Sequence, residues 1–369
     1  MGFFKTFFLI IAAVVVGLMA FSYILFKRDK KRTKEDIIKF IEAKPQNCAM
    51  TVIRNGETII DLNGEKLIPL ASTVKMIYAI AFVKAVKEKW IDPNEKVPIE
   101  SVDVFYFENT DENAHKSWKW EEGIEYEVTL KEIAQGMMKY SSNACTDYMY
   151  LRLGCERIAQ VMKDFSVHPH TDIYPVNSAM LIPAYFYQAS QMKRKEIAKT
   201  IKDMDDQHYC ELVQEMFQKI VNNEAKSLVH SLQIASDMDI QRELIKKLPA
   251  SSSRSYAELM YRLGESDVLS AEEKELLYEI MGWKDFKATG ERLWYKGGST
   301  AFVLTSALFK SDNTESLAFS FFIEDMSRLN ILWIKDLYKP FIQAFLEDKK
   351  FRKKVVRTLE RKGLVHSLL

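Results

Sequence analysis

The chain has 369 residues, 47% of them hydrophobic, with 52 basic against 51 acidic side chains and a formal net charge of +1. That is enough apolar material for a sizeable core, and the charge balance gives no bulk reason to bind nucleic acid. No Walker motif, zinc-ligand spacing, G-x-G-x-x-G or fixed-period repeat occurs, so neither a metal, a cofactor nor a repeat architecture is implied.

In chain order, the first element is an uncharged run of 20 residues from Phe7 to Phe26, long enough to cross about 30 Å of hydrocarbon. A secretory signal peptide is the alternative. The run is long for the apolar core of a signal peptide and Leu18-Met19-Ala20 is a weak cleavage site, so a retained transmembrane anchor is expected. Residues 1–32 then form the span and its basic stop segment, and 33–369 one further domain. No cysteine lies near the end of the span, so a lipoprotein anchor is not supported. Lys27, Arg28, Lys30, Lys31, Arg32 and Lys34 follow the span and only Lys5 precedes it, an asymmetry that by itself places the domain in the cytoplasm.

Ala49 to Arg54 and Glu57 to Leu62 read as strands joined by the hairpin signal Asn55-Gly56. Ile68 to Ala71 leads into Ser72-Thr73-Val74-Lys75, where a helix is expected to open. Met76, Ile77, Ile80, Ala81, Val83 and Val86 are its apolar stripe, and Trp90-Ile91-Asp92-Pro93 is its stop. A serine hydroxyl is a weak nucleophile at neutral pH unless a base and a cationic field favour its alkoxide. Lys75, one turn beyond Ser72 on the same face, allows ammonium and hydroxyl to meet. Ser190-Gln191-Met192-Lys193 has the same S-x-x-K spacing, but within charged, helix-forming sequence, and reads as surface helix.

Thr129-Leu130-Lys131-Glu132 is a capping box, so a helix is expected from Leu130 to Tyr140, with Ser141-Ser142-Asn143 on the turn that ends it. Ser190 to Leu248 reads as helical, with Tyr209, Leu212, Val213, Met216 and Ile220 at helical spacing. Lys296-Gly297-Gly298-Ser299 follows the strand-like Arg292 to Tyr295; alone, it reads as a β-bulge or a point of close backbone approach. Ala301 to Phe309 and Leu317 to Ile323 are strands around Ser311-Asp312-Asn313, a hairpin turn despite its likeness to the earlier Ser-Ser-Asn. A helix from about Ile334 follows. Lys349 to Lys362 is a solvated basic face or a seat for anionic headgroups.

The ordered segments Ser72-x-x-Lys75, Ser141-Ser142-Asn143 and Lys296-Gly297-Gly298 resemble the S-x-x-K, S-D-N and K-T-G signature of the serine β-lactamase and penicillin-binding protein superfamily, the class A β-lactamase type above all. The element order fits from Thr33 to Arg361. The resemblance implies an α/β (α+β) fold: an antiparallel sheet flanked by helices, with an all-helical lobe between its second and third strands, enlarged at about 190–248. It implies an acyl-enzyme at Ser72, with Lys75 as proton acceptor or as the cation that lowers the serine's pKa. Ser141 would relay a proton to the leaving group. Asn143 would hold the substrate amide, and Lys296 would supply positive field to Ser141 and to the substrate carboxylate. Gly298, Ser299 and Thr300 would border the substrate, and the backbone N–H groups of Ser72 and Ser299 would form the oxyanion hole. Substrates would be β-lactams or D-alanyl peptides of the cell wall. That chemistry lies on the extracytoplasmic face, against the charge asymmetry, and the chemistry outweighs it. A penicillin-binding sensor that stays acylated and a catalytically silent envelope scaffold are the rival readings.

Three departures from the pattern stand out. Gly297 occupies a position that usually carries a hydroxyl, which Ser299 or Thr300 would have to replace. Ser142 stands in place of aspartate. The deacylating glutamate has no secure counterpart: counting forward from Ser141 reaches Tyr174-Pro175-Val176-Asn177-Ser178, which has no acid, and counting back from Ser251-Ser252-Ser253 reaches Asp237, Asp239 or Glu243. Cys48, Cys145, Cys155 and Cys210 permit disulfides without specifying a pairing, with Cys145 expected to be buried on the helix after Asn143. His168 and His170 are expected to be structural. Phe105-Tyr106-Phe107 and Trp118-Lys119-Trp120 either border the cleft mouth or pack in the helical lobe.

Overall fold

A computed structural model describes residues 30–282, 292–312 and 314–365. The expected span at 7–26 lies outside the described residues, as do Lys27 and Arg28; among the described residues no helix is long and apolar enough to cross a membrane.

The chain opens with α1 (Lys34–Ala43) and the hairpin β1 (Cys48–Arg54) and β2 (Glu57–Leu62). Asn55 and Gly56 both take positive φ, +50° and +87°, as the sequence of the turn demands. Next come α2 (Lys75–Lys87), α3 (Leu130–Gln135), α4 (Asn143–Leu153), α5 (Arg194–Asp203), α6 (Asp206–Val221), α7 (Met238–Lys246) and α8 (Ser253–Glu265). The chain then returns to the sheet as β3 (Arg292–Ser299), β4 (Val303–Ser311) and β5 (Ser316–Glu324), and closes with α9 (Arg328–Glu347) and α10 (Lys349–Arg361). The sheet is antiparallel in the order β2-β1-β5-β4-β3, so the first hairpin pairs with the last strand and β3 is an edge.

Alternation along the strands divides the core in two. Met50, Val52, Leu304, Leu308, Phe319 and Phe321 pack beneath α1, α9 and α10. Ala49, Trp294, Val303, Phe309, Ala318 and Phe322 face α8 and the helical lobe. Helix α8 lies so close to the sheet that a Cβ on Gly264 would come within 2.2 Å of the Phe309 ring. On the opposite face, the guanidinium of Arg352 from α10 grips Glu315 of the β4–β5 turn through two bonds of 2.8 and 2.9 Å, both side chains 7% exposed; such a planar pairing fixes geometry as well as charge.

Several elements differ from their sequence expectations. Helix α2 shows no single stripe: Met76 to Val83 are all buried, because the helix runs through the centre of the lobe with neighbours all round. Helix α9 begins at Arg328, ahead of Ile334. The helix from Leu130 keeps its capping box, but its last turn, Gly136–Tyr140, widens to a π-helix. Ser190 closes one helix, Gln191 takes φ +49°, and Lys193 precedes α5, so the second S-x-x-K straddles a break rather than lying on one helix. Phe105, Phe107 and Trp118 are core, whereas Trp120 is exposed. All four cysteines are free, with Cys145 buried as expected.

Candidate active site

The turn that presents Ser72 is clamped at both ends. Before it, Ile68–Pro69 pairs with Ala250–Ser251, and Leu70 N–H donates to Pro249 O at 2.9 Å. Ala71 is left-handed, φ +46°, a conformation a non-glycine residue holds only where its surroundings impose it. Thr305 on β4 donates its hydroxyl to Leu70 O at 2.7 Å. With that proton committed, the 2.8 Å contact between Thr73 Oγ1 and Thr305 Oγ1 runs with Thr73 as donor. The expected helix does not open at Ser72: Ala71–Val74 form one 3₁₀ turn, and the α-helix starts at Lys75.

Strand β3 lies directly alongside. A Cβ on Gly298 would sit 2.6 Å from Ser72 N and 2.7 Å from Leu70 O, so glycine is what allows the strand to touch the nucleophile turn. The register across Lys296-Gly297-Gly298 runs without a shift, which excludes a bulge. Thr300 N–H donates inward to Val303 O. By the alternation of an antiparallel edge, Ser299 N–H therefore points away from β4, out of the sheet edge.

Lys75 and Lys296 are almost fully buried, 3% and 4% exposed. The Lys75 backbone N–H donates to Ser72 O, but its ammonium does not bond the Ser72 hydroxyl. Its ammonium reaches across to the turn after the π-helix, donating to Ser141 O at 2.6 Å, Asn143 Oδ1 at 2.9 Å, Ser142 O at 3.3 Å and Ser141 Oγ at 3.4 Å. Lys296 donates to Met138 O, at 3.2 Å, on the same π-helical turn. Ser141 is left-handed, φ +69°. Burial pushes the Lys75 ammonium down to about 7; burial and the neighbouring Lys75 charge push Lys296 well below the lysine range. Two buried like charges favour shedding a proton, so a neutral amine is present near neutral pH.

Ser142 shows what replaces the aspartate. Fully buried, it caps α4 by accepting from Cys145 N–H at 3.1 Å and bonds His115 Nδ1 at 2.9 Å. His115 Nε2 meets Asp103 Oδ1 at 2.8 Å, and Lys119 donates to the other oxygen of Asp103 at 2.6 Å. Ser142 is thus joined to the carboxylate of Asp103 through an imidazole stacked on Tyr106.

A cavity of about 820 Å³ is lined by Ser72, Lys75, Ser141, Asn143 and Lys296, and by Gly298, Ser299 and Thr300. All eight residues singled out from the sequence thus meet in one place. His168, His170 and the three acids considered for deacylation are not among its lining residues. Asp237 caps α7, Asp239 pairs with Arg242, and Glu243 pairs with Lys246. Among described residues, no group of histidine, cysteine and acidic side chains has the arrangement to hold a metal. Three acids that sequence reasoning missed line the cavity, Asp111, Glu112 and Asp147. Asp111 accepts from His115 N–H at 3.0 Å through one oxygen, while its other oxygen is buried without a partner among the described residues, and Glu112 pairs with Lys335. Asp147 lies one helical turn after Asn143 and is fully buried. Its oxygens accept from Ser178 N–H at 2.8 Å, Ser178 Oγ at 2.6 Å and Asn177 N–H at 3.2 Å. Burial pushes its carboxyl up to about 6. It is an anchor for the 177–178 loop, and the loop residue that lines the cavity is the amide Asn177. The i, i+4 spacing from Asn143 was the available signal for Asp147; nothing local pointed to His115.

Comparison with known proteins follows the same line. The family model described as the beta-lactamase enzyme family matches residues 32–293. A search of curated proteins gave no match. Among solved structures, a beta-lactamase from Sphaerobacter thermophilus is 14% identical, with 89% of this chain and 97% of that one covered and a TM-score of 0.52. A beta-lactamase from Chitinophaga pinensis is 15% identical over 84% and 98%, TM-score 0.53. A single-site mutant of PBP-A, solved as an acyl-enzyme complex with penicillin G, is 17% identical over 84% and 96%, TM-score 0.50. Identities this low establish a shared fold.

Proposed function

The chain belongs to the beta-lactamase enzyme family, and we propose that it is a membrane-anchored serine hydrolase that forms an acyl-enzyme on Ser72 with β-lactams or D-alanyl peptides of the cell wall, on the extracytoplasmic face. The observation that carries this reading is the buried Lys75 amine, pushed down to about 7, in the same cavity as Ser72. Neutral, it accepts the Ser72 hydroxyl proton as Oγ bonds to the substrate carbonyl carbon. The negative charge that develops on the carbonyl oxygen falls between the N–H groups of Ser72 and Ser299. The C–N bond then breaks, and the departing nitrogen takes its proton from Ser141, which is resupplied by the Lys75 ammonium within its reach at 3.4 Å.

For deacylation, Asn177 cannot accept a proton, both oxygens of Asp147 are engaged by the loop, and Glu112 pairs with Lys335. Those observations favour a second reading, a penicillin-binding sensor whose adduct persists, whereas the uncommitted buried oxygen of Asp111 on the cavity wall favours hydrolysis. The deciding experiment is mass spectrometry of the full-length protein incubated with a fluorescent penicillin. The proposal expects one adduct, on Ser72, formed at a rate that rises with pH through about 7 as Lys75 loses its proton. Decay of the adduct within minutes marks a hydrolase and persistence a sensor. No adduct at any pH refutes both.

A further inference from the structure

Side chains two apart on a strand leave by the same face. On β3, Lys296 and Gly298 therefore share the face toward Ser72, and Tyr295, Gly297 and Ser299 share the other. On that second face Tyr295 lies along the strand. A Cβ on Gly297 would sit 2.4 Å from the Tyr295 hydroxyl oxygen, and 3.1 and 3.3 Å from Cζ and Cε1 of its ring. The phenol head thus fills the space that any side chain at 297 would require. Tyr295 and Gly297 both line the cavity, beside Lys296.

We propose that Tyr295 delivers, from two residues upstream, the hydroxyl missing at Gly297, and that it binds the carboxylate of the acyl substrate there. This rests on the reading of the cavity as an acylation site. The phenol suits the task chemically: burial holds its pKa well above the usual phenol range, so it keeps the proton it donates to an anion, and a hydrogen bond to a charged acceptor is the strong kind. The absence of a side chain at 297 and the presence of tyrosine at 295 are then one feature, each requiring the other.

The test compares penicillin G with its carboxylate methyl ester as acylating agents of Ser72 on the full-length protein, reading the second-order rate constant by intact-mass spectrometry. Tyr295→Phe should lower the constant for the free acid by about 10- to 100-fold, the range a hydrogen bond to a charged group contributes, and lower that for the ester far less. Tyr295→Ala combined with Gly297→Thr, which removes the ring and restores a hydroxyl at 297, should recover most of the loss for the free acid. An equal fall for acid and ester in Tyr295→Phe overturns the proposal, as does no fall at all, or a double variant that folds and acylates the ester yet shows no recovery with the acid. A parent protein that penicillin G never labels takes down the acylation site and this subsite together.

Discussion

Replacing Lys75 by methionine removes a buried amine while keeping an unbranched side chain of similar length, and its cost follows from where that amine releases its proton. The ordinary value is 10.5, and in the fold it is about 7. Between those two pH values the unfolded chain holds a proton that the folded chain has lost. A basic group lowered on folding therefore destabilises fully below pH 7, and the penalty fades as pH climbs toward 10.5. At about 1.4 kcal/mol per pH unit, the penalty is about 4 kcal/mol at pH 7. Against it stand the acceptors that Lys75 satisfies, Ser141 O, Ser142 O and Asn143 Oδ1, which cost about 1–3 kcal/mol each if left unpaired. These nearly cancel at pH 7, so the informative quantity is the pH dependence. From pH 7 to 9 the parent should gain about 2–3 kcal/mol of unfolding free energy relative to Lys75→Met. Lys296 acts in the same direction: freed from the Lys75 charge, it titrates higher in the variant and flattens the variant's own profile. Urea titrations of both proteins at the two pH values measure the difference, and a difference that stays constant would show that Lys75 is not a desolvated amine. The same variant should acylate about 100- to 10,000-fold more slowly, having lost its general base.

Two further substitutions probe the frame around the nucleophile. Gly298→Ala places a methyl group 2.6 Å from Ser72 N and 2.7 Å from Leu70 O, backbone atoms that cannot swing aside. Overpacking of this kind costs about 1–3 kcal/mol, and displacing an oxyanion donor should slow acylation about 100- to 1000-fold; unchanged thermal stability and acylation would mean that the strand does not press on the turn. Ser142→Ala removes the cap of α4 and the partner of His115, and should lower stability by about 1–2 kcal/mol. The measurement is the unfolding midpoint, and an unaltered midpoint would deny Ser142 its place in the buried chain.

What is legible in the sequence is legible for local reasons. A hairpin turn needing two positive φ angles is written in Asn55-Gly56, and a helix start in Thr129 and Glu132, because the interacting groups lie within four residues of one another. The three motif segments are likewise readable as residue types in order, and their meeting around one cavity follows from the fold they share with the family. Even so, neighbours in sequence mislead in places: the spacing suggests that Lys75 meets Ser72 one turn away, yet it spans to Ser141 and Asn143, where buried carbonyls offer acceptors that no exposed ammonium would need.

The amino-acid order by itself determined the hairpin, the capped helices, the alternating strands and the chemical kit of serine, lysines and asparagine. Only tertiary structure decided what that kit can do. Burial moved the Lys75 amine from 10.5 to about 7, the fold joined Ser142 through His115 to Asp103, and it tied the carboxylate of Asp147 to Ser178. Each outcome depends on distance and solvent exclusion between residues apart in the chain. Residue identity carries no record of dielectric surroundings, which exist only once the core has closed.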